Sequence, residues 1–380
     1  MDQNTYILGS IGEHNVVIAS LPTGAYGNSS AATVGMQLLS SFHAIRFGFM
    51  VGIGGGVPSS NADIRLGDIV VSQPTDTSGG VIQYDLDKAL NGGQFKRTGM
   101  LNRPPKALLT ALATLQAHHL TEDSRILGFV SNLQAKMTPH KAAKFTRPTQ
   151  EDCLFQAEYN HVASDTCIDC DRSKLIPRPS RLHQEPIIHY GLIGSANQVV
   201  KDGLHRDQLA QDLGVYCVEM EAAGLMNDFP SLVIRGICDY ADSHKNKEWQ
   251  GYAAAVAAAY AKELLLVVPV DQVQSAPVAR DTLADYGESV IQCERSQLCL
   301  YFNDFLPLTK SSFITISYFQ SKHADILQKS RFPLLKPILP LNPTTDFRLI
   351  IIDSHPQAER RLYLSRTCWR LSRSSALHRV

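Results

Sequence analysis

Two short acidic segments near the middle of the chain constrain its fold more than any other feature. They are Val218–Gly224, with the sequence VEMEAAG, and Arg235–Asp242, with the sequence RGICDYAD. Each carries two carboxylates, and each follows an apolar run typical of a buried strand. Strand ends of this kind are where an open α/β sheet places its chemistry. Acids favoured at a helix start, or in a loop after a strand, explain the same pattern without a function.

The residues around these segments predict alternating strands and helices. Val215–Val218 is a predicted strand that enters a helix near Glu219, and Phe229–Cys238 is a predicted strand that ends on Asp239. Further predicted strands are Tyr6–Ile11, His14–Ser20, Ile45–Val51, Leu66–Ser72 and Ile187–Ser195, and predicted helices are Ser29–Phe42, Arg103–Ala117, Glu122–Gln134, Asn197–Leu213 and Trp249–Val268. This alternation predicts a mostly parallel α/β sheet in a single domain.

Two glycine-rich loops follow predicted strands. The first loop is Thr23–Ser30, and Asn28 or Ser29 is expected to cap the helix that follows it. The free backbone N–H groups of this helix start are a candidate anion site; a plain capped helix behind a glycine turn is the alternative. The second, Gly52–Pro58, lets the backbone approach a ligand or forms a tight strand exit. It is not a dinucleotide fingerprint, because Val57 replaces the third glycine, and no Lys-Ser/Thr pair follows to make a P-loop.

Net charge and composition limit the classes of partner that this chain is expected to bind. The formal net charge is zero, so no global field favours nucleic acid or an acidic surface. The N-terminus lacks the pattern of a signal peptide, and Ala253–Val268 is interrupted by Lys262 and Glu263, as is typical of a packed helix. We therefore expect a cytoplasmic protein with no nucleic-acid or membrane partner, whose eight cysteines are mostly reduced thiols.

The amino-acid composition changes between residues 138 and 185, and we interpret this stretch as a long insertion with little regular structure. Cys167 and Cys170 form a CxxC pair, with Cys153 and His161 nearby. A structural zinc site is one interpretation, but no second CxxC or HxxxH pair accompanies it. Free thiols are favoured, and no metal is expected.

The chain beyond the last predicted helix has no clean period. Residues 269–290 are a predicted linker, and residues 291–380 are left unassigned. The end of the chain is rich in arginine and serine, which favours a disordered basic tail over a contact with nucleic acid or membrane.

Several separated motifs match one family. They are Gly24–Ala32, Val51–Gly56, Gly67–Val71, Asn197–Gly203, Val218–Ala223 and Gly236–Asp242. The pairing of VEMEAA with a strand that ends in D-x-A-D about fifteen residues later is the most specific of these. Through these motifs, residues 5–268 resemble the nucleoside phosphorylase/nucleosidase superfamily, which includes purine nucleoside phosphorylase and methylthioadenosine/adenosylhomocysteine nucleosidase. The likeness extends to the fungal branch, in which such domains stand at the N-terminus of NLR-like proteins.

The resemblance implies a three-layer α/β/α fold around a twisted mixed sheet, and cleavage of the N-glycosidic bond of a purine nucleoside or nucleotide. By this likeness Glu221 accepts from the ribose hydroxyls, Asp239 is the general acid at purine N7, and Phe155 is a candidate for stacking on the base. The implied catalytic residues are Asp239 and Glu221, and the implied substrate-binding residues are Met220, Glu219, Gly52, Ile53, Gly54, Gly55 and Phe155. No cofactor is implied, and a homo-oligomer is expected.

The chemistry fits these roles. Departure of a purine leaves an oxocarbenium-like sugar and negative charge on the base. A carboxylic acid beside the base donates a proton or a hydrogen bond to that negative charge. A carboxylate that accepts from the ribose hydroxyls orients the sugar and stabilises its positive charge. Donation requires Asp239 to be protonated, which burial at a strand end favours. Asp242 is the alternative acid, but Asp239 follows the strand directly.

Two departures from the family pattern bear on turnover. Met50 and Ile53 stand where the hexameric phosphorylases have the phosphate-binding Arg and Ser, which favours water over phosphate as nucleophile unless Arg46 or Arg65 binds the anion. Phosphate is a co-substrate only if the protein is a phosphorylase. The family's first strand and its water-activating glutamate also lack a counterpart, and Glu13 is a poor substitute. A catalytically silent nucleoside sensor, or a degenerate fragment with an exposed sheet edge, is therefore the alternative.

Overall fold

The strands and helices follow the predicted alternation closely. The computed structural model describes residues 2–89, 95–162, 166–281 and 347–353. Its strands are β1 (Tyr6–Ile11), β2 (His14–Ser20), β3 (Ile45–Gly56), β4 (Ile69–Ser72), β5 (Val81–Gln83), β6 (Asp87–Ala89), β7 (Phe95–Arg97), β8 (Ile188–Ser195), β9 (Val215–Glu219), β10 (Ser231–Asp239) and β11 (Phe347–Asp353). Its helices are α1 (Asn28–Ser41), α2 (Lys106–His118), α3 (Ile126–Ala135), α4 (Pro139–Ala143), α5 (Gly203–Leu213), α6 (Gln250–Leu265) and α7 (Val270–Ser275).

One mixed sheet organises the described residues. The prediction of a mostly parallel sheet is wrong, because β10 is antiparallel to β4, and β3 is antiparallel to β9 and β11. The strand order of the sheet is β1-β2-β11-β3-β10-β4-β8-β5, and β9 pairs with both β3 and β8. The ring β3-β10-β4-β8-β9 therefore closes on itself, so this part of the sheet is barrel-like. Helices cover the sheet on both sides, and the predicted three-layer α/β/α fold is confirmed.

The centre of the sheet is β10, and all nine of its residues are buried. A continuous apolar run of this kind is typical of a strand covered on both faces. The alanine-rich helix α6 packs on β10 and β3, and its small side chains allow a close approach. No single helix in the described part of the chain is long and apolar enough to cross a membrane; α6 and residues 270–281, bent by 86°, pass that test only as a pair and only by length and composition.

Strand β11 lies between β2 and β3 and is antiparallel to both. Ile350 pairs with Ile18 of β2 on one side and with Phe49 of β3 on the other. The segment belongs to residues 291–380, which are unassigned from the sequence, and an exposed sheet edge is part of the degenerate-fragment alternative. Seven of those residues fill that edge, while the rest of the predicted tail lies outside the described residues.

Four predictions differ in the structure. The predicted linker 269–290 begins with helix α7, in which Val273 is buried. The helix expected from Glu219 is only the 3₁₀ turn Ala222–Gly224, because the Glu219 carboxylate accepts from the Glu221 and Ala222 N–H groups and fixes a tight turn. The helix expected from Asn197 begins at Gly203, since the Asp202 side chain caps it by accepting from the Leu204 and His205 N–H groups. The Gly52–Gly56 segment is strand rather than loop.

A buried carboxylate ties the insertion to the sheet. Asp68, 1% exposed, accepts from both terminal nitrogens of Arg181 at 2.6 and 2.7 Å and from His189 Nε2 at 3.0 Å. The Arg65 and Ile187 backbone N–H groups also donate to it. Burial alone raises the pKa of Asp68, but the hydrogen bonds from Arg181 and His189 outweigh it, and the pKa is lowered. The Gly67–Val71 motif thus has a structural role.

Candidate active site

The two acidic segments meet at one position of the sheet. Gly55 of β3 pairs with Val218 of β9 on one side and with Asp239 of β10 on the other. A Cβ at Gly55 would lie 2.9 Å from Asp239 Oδ1, so the missing side chain makes room for that carboxylate. Glu221 follows Val218 by three residues, and both predicted catalytic acids therefore emerge beside the end of β3.

Glu219 holds the turn that carries Glu221. Its carboxylate pairs with Arg235 and accepts from the Ala222 N–H at 3.0 and 3.1 Å and from the Glu221 N–H at 3.2 Å. Both oxygens are occupied, and the side chain is 1% exposed. The predicted substrate contact of Glu219 is thus replaced by a positioning role.

Glu221 is buried in the same network but has fewer partners. Its Oε2 lies 3.5 Å from Arg235 Nη2, and its carboxylate also accepts from the Gly27 N–H. Burial raises the pKa of Glu221 to about 7, and Glu219 adds to this increase while Arg235 opposes it. Glu221 is therefore poised to change its charge near neutral pH.

The N-terminus of α1 completes this side of the site. The Asn28 N–H donates to Asn197 Oδ1 at 2.9 Å, so a distant side chain caps the helix, and the predicted caps Asn28 and Ser29 do not. Gly27 has φ +97°, and a Cβ there would lie 2.7 Å from Asn197 Oδ1. Among the described residues, the buried Asn28 Nδ2 has no hydrogen-bond partner. This leaves a donor beside the loop that contacts Glu221.

Asp239 is held at the end of β10. It is 4% exposed, its Oδ1 accepts from the Ala241 N–H at 2.9 Å, and its Oδ2 lies 3.2 Å from Lys245 Nζ. The Cys238 thiol donates to the same Oδ2 at 3.1 Å. Lys245 supplies a counter-charge beside the predicted acid.

Asp242, the alternative acid, is engaged elsewhere. Its Oδ2 pairs with Arg206 Nη1 at 3.3 Å, and its Oδ1 accepts from the His244 N–H at 2.9 Å. The Arg206 side chain is only 2% exposed and also donates to the Tyr240 carbonyl. Asp242 therefore anchors the loop after β10, and this geometry favours Asp239 as the acid.

Phe155 does not face an open pocket. It is 2% exposed and stacks on His244, with ring centroids 4.1 Å apart and planes at 15°. Tyr159 stacks on His244 as well, at 5.5 Å. Neither ring nitrogen of His244 has a hydrogen-bond partner among the described residues, although Nδ1 lies 3.7 Å from Asp242 Oδ1. Phe155 thus supports His244, where the sequence analysis expected contact with a base.

A cavity of about 380 Å³ opens beside Asp239. Its lining includes His244 and Tyr240 from the loop after β10, and Cys153, Thr166 and Cys167 from the insertion. Glu221 is not among the lining residues. The remaining predicted contacts surround the end of β3: Gly52, Gly54 and Gly55 are buried, and Met220 and Ile53 are half-buried.

The family model of the phosphorylase superfamily matches residues 2–268, the range that contains both acidic segments, the glycine strand and the insertion. The chain belongs to the phosphorylase superfamily. The predicted nucleoside phosphorylase/nucleosidase family is confirmed.

Relatives within and near this superfamily agree with the prediction. The chain is 49% identical over 267 residues to a nucleotide-binding leucine-rich repeat (NLR)-like protein of Hyaloscypha variabilis, across 70% of this chain but 26% of that protein. It is 33% identical over 92 residues to a 5'-methylthioadenosine/S-adenosylhomocysteine nucleosidase of Mycobacterium tuberculosis, across 23% of this chain and 36% of the nucleosidase. The chain thus spans about a quarter to a third of these relatives.

Solved structures with a similar fold include 5'-methylthioadenosine/S-adenosylhomocysteine nucleosidases. That of Helicobacter pylori is 13% identical with a TM-score of 0.40, across 70% of this chain and 89% of the nucleosidase. That of Neisseria meningitidis is 17% identical with a TM-score of 0.40, across 70% of this chain and 90% of the nucleosidase.

Sequence reasoning missed four residues of the candidate site. They are Arg235, Asn197, His244 and Lys245. Arg235 carried a signal, since a lone arginine inside an otherwise apolar strand needs a buried acid as partner. The other three stand in polar loops, where the sequence gives no indication of which side chain turns inward.

Proposed function

We propose that this chain binds a purine nucleoside or nucleotide at the end of β3 and hydrolyses its N-glycosidic bond. The observation that carries the proposal is the pairing of Gly55 with Val218 and Asp239, which sets the Glu221 and Asp239 segments on either side of one strand. Glu221 accepts from the ribose hydroxyls, and Asp239 donates to the departing base.

The surroundings of Glu221 support its role. Glu221 stands beside the buried cation Arg235, which keeps a carboxylate available close to neutral pH. A carboxylate at the sugar orients the ribose and stabilises the positive charge that develops on it. On the other side of Gly55, Asp239 lines the cavity together with His244.

Water is the nucleophile that the local charges favour. Met50 is fully buried in the core, and the half-buried Ile53 packs against that core; neither apolar side chain supplies an anion donor. Arg46 donates to the Ala276 carbonyl at 2.7 Å, and Arg65 pairs with Asp63 at 2.7 Å. Both arginines named as substitutes for the family's phosphate ligand are thus engaged with other groups, which supports hydrolysis over phosphorolysis.

The second candidate is a nucleoside-binding module without turnover. The similarity to an NLR-like protein supports it, because such a domain can act as a sensor within a larger chain. Glu13, the one candidate replacement for the family's water-activating glutamate, is exposed in the hairpin between β1 and β2.

The test is release of free base from purified protein. A panel of purine nucleosides and nucleotides is incubated with and without phosphate in water enriched in oxygen-18, and base and sugar products are identified by mass spectrometry. Hydrolysis gives free base without phosphate and one labelled oxygen in the released sugar. Base release only with phosphate shows a phosphorylase, and binding without release shows a sensor; either result contradicts the proposed hydrolase.

A further inference from the structure

Three metal-binding side chains converge in the insertion. The ligand atoms of His161, Cys167 and Cys170 all lie within 4.8 Å of one another. Cys170 is buried, and the other two are half-buried. We propose that these three residues bind a zinc ion, with water completing the coordination. Free thiols were expected because the sequence has no second CxxC, but the fold supplies an imidazole as the third ligand.

The backbone brings the two thiols together. Residues Cys167–Asp169 form a 3₁₀ turn, and the Cys170 N–H donates to the Cys167 carbonyl at 3.3 Å. Such a turn places the first and fourth residues of a CxxC pair on the same side. Zinc readily binds two thiolates and an imidazole, whereas hard cations such as Mg²⁺ and Ca²⁺ prefer oxygen ligands.

His161 makes hydrogen bonds that leave one of its ring nitrogens available to a metal. Its backbone N–H donates to Ser243 Oγ at 2.9 Å, and its Nε2 lies 3.2 Å from the Thr166 carbonyl. A carbonyl only accepts, so Nε2 carries the hydrogen and the neutral ring keeps a lone pair on Nδ1. A metal-bound histidine normally fixes its other ring nitrogen on a carbonyl or carboxylate in this way.

A metal cross-link would stabilise the segment between Lys144 and Ile187, which has little regular structure. Between Lys144 and Ile187 the described residues contain only two 3₁₀ turns and an isolated bridge between Phe155 and Leu175. Segments this long without regular structure are uncommon in compact domains unless something else holds them. A zinc ion at His161, Cys167 and Cys170 supplies that restraint.

The proposed zinc site stands against the wall of the candidate active site. The His161 ring contacts His244 edge-on, at 5.4 Å and 77°, and Cys167 Sγ lies 3.9 Å from the His244 carbonyl. Zinc would therefore fix the loop that carries His244 and follows Asp239. The zinc site does not depend on glycosidic cleavage, because metal content is measured without any substrate.

The first test is the zinc content of the purified 380-residue chain by elemental mass spectrometry. We expect about one zinc per chain in the wild type and a loss of most of it in Cys167→Ser, Cys170→Ser and His161→Ala, since each removes one of three protein ligands. Cys153→Ser is the matched control: it makes the same change within the insertion, but Cys153 is not part of the three-residue group. The control is expected to retain its zinc.

A second measurement needs no variant and covers the case in which the substitutions prevent folding. Cobalt(II) is exchanged into the wild-type chain, and its absorption spectrum is expected to show thiolate-to-metal charge transfer and tetrahedral bands. A wild type without stoichiometric zinc or a thiolate–cobalt band overturns the proposal. So does full zinc retention in Cys167→Ser with Cys170→Ser, complete zinc loss from Cys153→Ser, or a Cys167–Cys170 disulfide in freshly purified protein.

Discussion

Arg235 Nη2 lies 3.5 Å from Glu221 Oε2, and the same nitrogen pairs with Glu219. The guanidinium is fully buried, and it supplies the positive charge that compensates the neighbouring carboxyl groups of Glu219 and Glu221. Removing one partner of a buried pair leaves an uncompensated charge and costs about 3–5 kcal/mol. We therefore expect Arg235→Met to lower the free energy of unfolding by about that amount, measured by urea denaturation at pH 7.

The control for Arg235→Met is the double variant with Glu219→Gln. If the buried charge on Glu219 causes the loss, neutralising it restores part of the stability, and the double variant is more stable than the sum of the single changes predicts. Strict additivity of the two changes would show that the pair is not coupled.

Glu221 is expected to make stability depend on pH. Burial raises its pKa from 4.5 to about 7, so between these values the folded chain holds a proton that the unfolded chain has lost. The stabilisation is fully present below pH 4.5 and is lost as pH rises through about 7. Glu221→Gln removes this dependence and is expected to be more stable than the wild type at pH 8, by a few degrees in the melting temperature.

Thermal melts of both proteins across this pH range measure the effect. Parallel curves for wild type and Glu221→Gln contradict the raised pKa. The same titration bears on function, since a carboxylate that accepts from ribose hydroxyls must be ionised; activity is therefore expected to rise with pH through about 7.

The pKa of Asp68 is shifted in the opposite direction to that of Glu221, so the effect of Asp68 on stability has the opposite dependence on pH. Its pKa is lowered by Arg181 and His189 despite burial, so its stabilisation is present above the unfolded value of 3.8 and is lost as pH falls below it. Asp68→Asn is expected to cost about 3 kcal/mol at pH 7, because Arg181 loses its buried partner. Asp63→Asn is the control: its side chain is 45% exposed, and its loss is expected to be below about 1 kcal/mol in the same denaturation experiment. Equal losses would contradict the special role of Asp68.

Strand β11 gives a prediction that compares two truncations. A chain ending at residue 353 keeps β11 between β2 and β3, while a chain ending at residue 346 lacks it. The shorter chain is expected to melt at a lower temperature and to aggregate, because two interior strand edges lose their backbone partner. Equal melting temperature and solubility of the two chains would show that β11 is not part of the stable sheet.

Much of the fold and part of the site were predictable from the sequence. Apolar runs ending at Glu219 and Asp239 located β9 and β10, since burial on both faces leaves a continuous signature. Local periodicity does not report long-range pairing, however, and therefore missed β11 in the central sheet and the cap that Asn197 provides for α1. The same limit applies to His161 with Cys167 and Cys170, because nothing in their spacing shows that the chain folds back to bring them together.

The helix predicted at Glu219 failed for a related reason. The segment has strong helix formers, but Glu219 accepts three backbone hydrogen bonds from residues two and three positions later, and these fix a tight turn in place of a helix. Tertiary pairing with Arg235 thus outweighed local propensity.

The central claim is that Asp239 donates to a departing purine at the end of β3. The most direct measurement is the rate of free-base release from the preferred nucleoside by wild type and by Asp239→Asn, with nucleoside affinity and melting temperature measured on the same samples. We expect Asp239→Asn to lose at least about 100-fold in rate, the usual contribution of a general acid, while it still folds and binds. An unchanged rate in Asp239→Asn would contradict the assignment.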